Sequence, residues 1–329
     1  MPSVLIGSEP IRSQPGTYRT LLEAAGFTVV DPPFWGMLRM PDLLEWLPGC
    51  EAIIAGGETI SAAIMDKAPK LRVIARTGVG FDAVDVAAAS ERNIVVTITP
   101  GANHESVAEQ TFALLLGLVK DLRAHDQSIR SGNWIRTPLP RPLRGLTIGL
   151  VGLGRIGRAV ASRAIAFGMT VVAADPFAQT EPGIKIVRLD DLLRTSDVVS
   201  LHLPVLEDTR ALFDRTKFAA MKPGSIFINT ARGGLMVESD LIEALESGHL
   251  AGAGLDVFNP EPPAPDNRLW SVPNLLFTPH MAGLDTLAMS EMARMAAQCI
   301  IDLHQGIWPE PCVINPEIAS GWRWSVEKN

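Results

Sequence analysis

Short apolar runs rich in β-branched residues alternate with alanine- and leucine-rich stretches of helical spacing along most of the chain. That alternation predicts an α/β fold with parallel sheets, because a crossover helix returns the chain to the same end of its sheet. In the first part of the chain, residues 4–7, 27–30, 52–55, 71–76 and 94–98 are the expected strands. Helices are expected between them at 18–25, closed by Gly26, near 42–47, and at 61–68, with Ser61 as N-cap and Pro69 as stop.

Thr99-Pro100-Gly101 breaks the pattern, and a strongly apolar helix is expected at 105–122. Residues 131–144, rich in Pro and Arg, read as a long connection. A second alternation then predicts strands at 146–151, 170–174, 198–203, 225–229, 253–257 and 275–278. These runs lack strict alternation, as strands buried on both faces do. Six parallel strands make a complete dinucleotide-binding sheet. A last helix is expected at 287–305, with Leu287, Met292, Met295, Cys299 and Leu303 at helical spacing, its Met and Cys residues as core filler and Gly306 as stop. Beyond it, Trp322 and Trp324 either pack locally or face a partner.

The composition narrows the function. With 329 residues, 47% of them hydrophobic, there is core material for two domains. A net charge of −7 repels phosphate backbones, so no nucleic-acid partner is expected. The longest apolar run, 112–119, falls far short of the roughly 20 residues that span a bilayer. No membrane association or secretory signal is expected either. Cys50, Cys299 and Cys312 have neither metal nor disulfide spacing, which suits a reducing, cytoplasmic compartment. The six histidines form no HxxxH pair, and no metal is expected.

Gly152-Leu153-Gly154-Arg155-Ile156-Gly157 fits GxGxxG in a telling context. It follows a predicted strand, opens a predicted helix, and precedes an acidic strand end, Asp175, by 23 positions from Gly152. Together these form the dinucleotide fingerprint. Gly152 would make the tight turn, Gly154 admit the pyrophosphate, and Gly157 let helix and sheet approach. The helix N-terminus near Arg155 and Ile156 would meet the pyrophosphate with N–H groups and partial positive charge. Asp175 would accept from the adenosine ribose hydroxyls and repel a 2′-phosphate. Pro176 and Phe177 follow instead of an Arg, so NAD is expected rather than NADP.

Three further residues stand after later strands: Arg232, Glu261 and His280. As a set they suit hydride transfer to a carbonyl. His supplies a proton near neutral pH. Arg supplies a permanently charged fork for a carboxylate and carbonyl, with Gly233 and Gly234 leaving its side chain room. A neighbouring Glu holds the imidazolium and fixes its orientation.

These residues, with the segments 76–82, 106–109, 145–157, 202–204, 229–233, 256–262 and 279–280, resemble the D-isomer-specific 2-hydroxyacid dehydrogenase family, nearest its phosphoglycerate dehydrogenase and hydroxypyruvate reductase members. The resemblance runs over about residues 50–315. It implies two Rossmann-like doubly wound domains. The NAD domain would cover 100–284, and a discontinuous substrate domain 1–99 plus 285–329, with hinge closure during transfer. It makes His280 the acid/base, Glu261 its partner, and Arg232 the ligand of substrate carboxylate and carbonyl. Asp256 would face the nicotinamide carboxamide. His202, Pro204, Thr209, Thr230, Ala231, Arg232 and His280 join the fingerprint around the cofactor. The Gly78-Val79-Gly80 turn would offer N–H groups to the substrate carboxylate. A homodimer through the NAD domain is implied, which the arm around Trp134 suits.

The substrate is less defined. Arg76 stands where phosphoglycerate dehydrogenases carry a phosphate-binding Arg, yet Glu58 stands where several of them place a second one. Glu58 would oppose a phosphate, and Arg136 or Arg141 on the arm would have to compensate. An alternative reading is an NAD-responsive binding protein of corepressor type, which shares the fold and the Arg-Glu-His set. Formate-type donors are disfavoured, because those enzymes carry Gln in place of Glu261.

Overall fold

The computed structural model describes residues 1–179 and 181–324; Thr180 and the last five residues of the expected 285–329 segment lie outside the described residues. The chain divides into two compact units, Met1–Asn103 with Leu284–Asn329, and His104–Gly283.

The first unit is built on a parallel sheet of β1 (Ser3–Ile6), β2 (Thr28–Val30), β3 (Ala52–Ala55), β4 (Val73–Arg76) and β5 (Val95–Thr97), in the order β2-β1-β3-β4-β5. Alternate strand residues feed two separate cores. Val4, Ile6, Ala52, Ile54, Val73 and Ala75 meet helices Thr17–Ala24 and Thr286–His304. Leu5, Ile53, Ala55 and Ile74 meet helices Met40–Trp46, Ala62–Met65 and Val86–Glu91. Burial on both faces is why these strands carry unbroken apolar runs.

Three details depart from expectation. Ser61 does precede a helix, but its side chain makes no cap bond and the helix is a single turn, Ala62–Met65. Helix Val86–Glu91 was not foreseen, since six residues are too few to show a helical period; Asp85 caps it by accepting from Ala88 N at 3.0 Å. Leu287 is 82% exposed rather than core. It is five residues from Met292, about 140° around the helix from the buried stripe. The tail is settled as local packing: Trp322 is buried, donates Nε1–H to Asn93 O at 2.9 Å, and stacks edge-on with Trp308 and Trp324.

The second unit carries a parallel sheet of β6 (Thr147–Val151), β7 (Thr170–Ala174), β8 (Ile184–Ile186), β9 (Val198–Leu201), β10 (Ser225–Asn229), β11 (Leu250–Leu255) and β12 (Leu275–Phe277). Its order is β12-β11-β10-β9-β6-β7-β8, so there are seven strands where six were expected. The extra strand, Ile184-Lys185-Ile186, lies at the edge and is too short to announce itself. The long apolar helix ends at Val119, and a separate helix, Leu122–Arg130, follows a left-handed turn at Asp121 (φ 49°). The strand order reverses between β6 and β9, the topological switch point beside which open α/β sheets take ligands. No helix among the described residues is long and apolar enough to cross a membrane.

Candidate active site

The switch point of the second unit is lined by the glycine loop after β6. Gly152 adopts φ 95°, and a Cβ there would lie 2.4 Å from His202 O. A Cβ on Gly157 would lie 2.4 Å from Gly152 O, so this glycine lets helix Arg155–Ala166 sit directly on the loop. Gly154 differs. Nothing lies within 4 Å of a Cβ built on it, and the residue is exposed. Two glycines therefore serve packing, while the middle one keeps backbone open to an approaching group. The N–H groups of the first helical turn, at Arg155 and Ile156, have no intrahelical acceptor and carry the helix's partial positive charge.

Asp175, just past β7, accepts from Leu153 N and from Phe177 N, each at 2.8 Å. It thereby latches the glycine loop to the neighbouring strand end, and its carboxylate keeps lone pairs for ribose hydroxyls. After β9, His202 N donates to Val151 O at 2.8 Å. Its ring Nε2 is buried without a hydrogen-bond partner among the described residues, and burial pushes the imidazole down to about 3, so the ring is neutral. The Thr209 hydroxyl accepts from Leu206 N at 2.7 Å and donates to Pro204 O at 2.8 Å, clamping the turn that carries Pro204.

Arg232, Glu261 and His280 follow β10, β11 and β12, and backbone contacts link their loops. Asn229, fully buried, donates to Arg232 O at 2.8 Å and accepts from Ala231 N at 3.0 Å, which sets the turn presenting Arg232. The Arg232 guanidinium donates to Ala231 O at 2.7 Å. A Cβ on Gly233 would fall 2.1 Å from Phe258 C and O, so this glycine lets the Arg232 loop abut the Glu261 loop backbone to backbone. Phe258 N in turn donates to Glu261 Oε1 at 2.8 Å, and His280 Nδ1–H to Glu261 Oε2 at 2.6 Å. Both carboxylate oxygens are engaged, and the imidazole is oriented through Nδ1, leaving Nε2 for chemistry. His280 adopts φ 53°, an uncommon conformation for a residue with a side chain and costing on the order of 1 kcal/mol.

Asp256 maintains that strained turn. Its carbonyl accepts from His280 N at 2.7 Å; Oδ1 accepts from the Thr278 hydroxyl and from Met281 N at 2.9 Å; Oδ2 accepts from Ala282 N at 2.9 Å. Burial pushes the carboxyl up, against these hydrogen bonds. Asp256, expected to face a carboxamide, is wholly enclosed and fixes the backbone on both sides of His280. Thr230 is likewise turned inward, its hydroxyl 3.0 Å from that of Thr111, which leaves the half-buried Ala231 and Arg232 of this segment to line a cleft.

In the first unit, the 76–80 turn follows β4. Gly78 N donates to Thr99 Oγ1 at 2.9 Å, which narrows the expected N–H offer to Val79 and Gly80. Arg76 is buried and donates Nε–H to Gly80 O at 3.1 Å, so it braces the turn.

The D-isomer specific 2-hydroxyacid dehydrogenase, NAD binding domain, model matches residues 112–282. A hydroxypyruvate reductase of Thermotoga maritima is 40% identical over 74% of this chain and 81% of its own length. The chain belongs to the D-isomer specific 2-hydroxyacid dehydrogenase family. A D-3-phosphoglycerate dehydrogenase of Archaeoglobus fulgidus is 39% identical over 86% of this chain, which spans about half of that longer protein (55%). Among solved structures, the TT0316 protein of Thermus thermophilus superposes with a TM-score of 0.87 at 39% identity, over 95% of this chain and 99% of that one.

The family match over residues 112–282 makes the second unit the NAD-binding domain, and NAD is its cofactor. The residues that sequence reasoning did not single out are Asn229, Phe258, Thr278 and Thr111. Thr278 and Thr111 act through contacts with distant segments, at Asp256 and Thr230, for which a single sequence carries no signal. Asn229 and Phe258 bond within three residues of themselves and lie in the 229–233 and 256–262 segments, so both are within reach of the sequence.

Proposed function

We propose that this chain interconverts a 2-oxo acid and the matching D-2-hydroxy acid, with NAD(H) as hydride carrier. The observation that carries the reading is the 2.6 Å hydrogen bond from His280 Nδ1 to Glu261 Oε2. It holds an imidazole with Nε2 available and an anion behind it, as a group needs that must give and take a proton at the C2 oxygen. Arg232 binds the substrate carboxylate and polarises the carbonyl. The exposed Gly154 backbone and the helix N-terminus at Arg155 and Ile156 receive the pyrophosphate, and Asp175 the ribose.

In the same reading, residues 100–284 bind NAD, while 1–99 with 285–329 serve the substrate, whose carboxylate meets the N–H groups of Val79 and Gly80. The relatives named above are a reductase and a dehydrogenase, which favours catalysis over the binding-protein alternative. A homodimer is part of the proposal, supported by the exposed Trp134, Ile135 and Leu139 of the arm. So is a reducing, cytoplasmic setting, supported by three free cysteines.

The test is NADH oxidation by the purified protein with glyoxylate, pyruvate, hydroxypyruvate and bulkier 2-oxo acids, each repeated with NADPH. Turnover of at least one acid with NADH is expected. Tight NADH binding with no turnover of any acid would overturn the reading.

A further inference from the structure

The strand order of the first unit also reverses, between β1 and β3, which marks the place where such a sheet would take a ligand. The unit's own ionisable side chains fill it. Arg12, 2% exposed, donates Nε–H to Ile6 O at 3.2 Å, Nη1–H to Phe34 O at 3.1 Å, and Nη2–H to Gly7 O. Glu58, 1% exposed, accepts from Gly56 N at 2.5 Å on Oε2, within electrostatic reach of both Arg76 and Arg12. A Cβ on Gly7 would lie 3.4 Å from Glu58 Cδ, so the strand end packs closely against the carboxyl. Arg76, 8% exposed, stands in register with Ala55 and holds Gly80 O.

The positive charge at this edge is therefore engaged inside the fold, and a carboxyl group sits among it. A phosphate brought to Arg76 would meet a buried guanidinium whose Nε–H already serves Gly80 O. It would also add negative charge beside Glu58 where little water screens it. Burial pushes the Glu58 carboxyl up, against the pull of Arg76 and Arg12, a sign of how poorly the site solvates negative charge.

We infer that Glu58 makes this chain select 2-oxo acids whose distal group is not an anion and reject phosphorylated ones. The inference rests on the reading above that the 76–80 turn faces the substrate.

Hydroxypyruvate and 3-phosphohydroxypyruvate differ only by the phosphate, so the ratio of their kcat/KM values with NADH isolates it. The wild type is expected to favour hydroxypyruvate by at least about tenfold. Glu58→Gln should move the ratio toward the phosphorylated acid by about tenfold, through its KM, whereas Glu58→Asp should keep the wild-type preference. A thermal melt of each variant establishes that it folds; if Glu58→Gln does not, the wild-type ratio decides. A wild type that prefers the phosphorylated acid, or a Glu58→Gln ratio equal to the wild type's, overturns the inference alone. Failure to reduce any 2-oxo acid overturns the proposed function and the inference with it.

Discussion

Glu261 reaches His280 Nδ1 with one carboxylate oxygen at 2.6 Å and Phe258 N with the other at 2.8 Å. The carboxylate is thus held from behind by backbone and holds the imidazole in front. Glu261→Gln keeps an acceptor of the same shape and removes the charge. The variant should lose about 10- to 100-fold in kcat with NADH affinity unchanged, since the charge behind the imidazole is gone and the amide oxygen can accept only one of the two N–H groups that the carboxylate serves. Steady-state kinetics beside an NADH fluorescence titration checks this; a fall in affinity with normal kcat would speak against it.

The three glycines of the fingerprint should separate by phenotype. Gly157→Ala places a methyl 2.4 Å from Gly152 O and should cost about 1–3 kcal/mol of stability. Gly154→Ala meets nothing within 4 Å, so it should melt like the wild type yet bind NADH more weakly. Thermal melts and NADH titrations of the two variants read both expectations.

Asp175 has two tasks that one substitution can uncouple. Asp175→Ala should lower stability by about 1 kcal/mol for each N–H left without its acceptor, Leu153 and Phe177. Asp175→Asn keeps an acceptor but removes the charge that repels a 2′-phosphate. Its NADH/NADPH ratio of kcat/KM should narrow by about tenfold with a smaller loss of stability.

His202 contributes an acid sensitivity. Its folded-state value is about 3, below the usual 6.5, so between these values the unfolded chain binds the extra proton. Stability therefore falls as pH drops through that window, by about 2 kcal/mol at pH near 5. His202→Asn, which does not titrate, should lose about that much less between neutral pH and 5 in urea melts. Equal losses in the two proteins would contradict the burial of this ring.

How far the sequence led depends on which contacts each feature needed. β3, β7 and β10 were legible to the residue, because burial on both faces leaves a run of apolar side chains that needs no partner to be seen. Glycines 152, 154 and 157 were legible for a similar reason: a tight turn and a close helix leave a local spacing. The backbone contact of Gly233 with Phe258 and the enclosure of Asp256 join segments over twenty residues apart and leave none. Arg76 shows the same limit. Its charge is in the sequence, but its burial beside Glu58 and its bond to Gly80 are properties of the folded sheet edge.

Whether His280 moves the proton that accompanies hydride transfer is read from a comparison of His280→Ala with the wild type. Both proteins should bind NADH with the same affinity, while the variant's kcat for the best 2-oxo acid falls by about 10²- to 10⁴-fold. Wild-type turnover by His280→Ala would rule out that role for the imidazole.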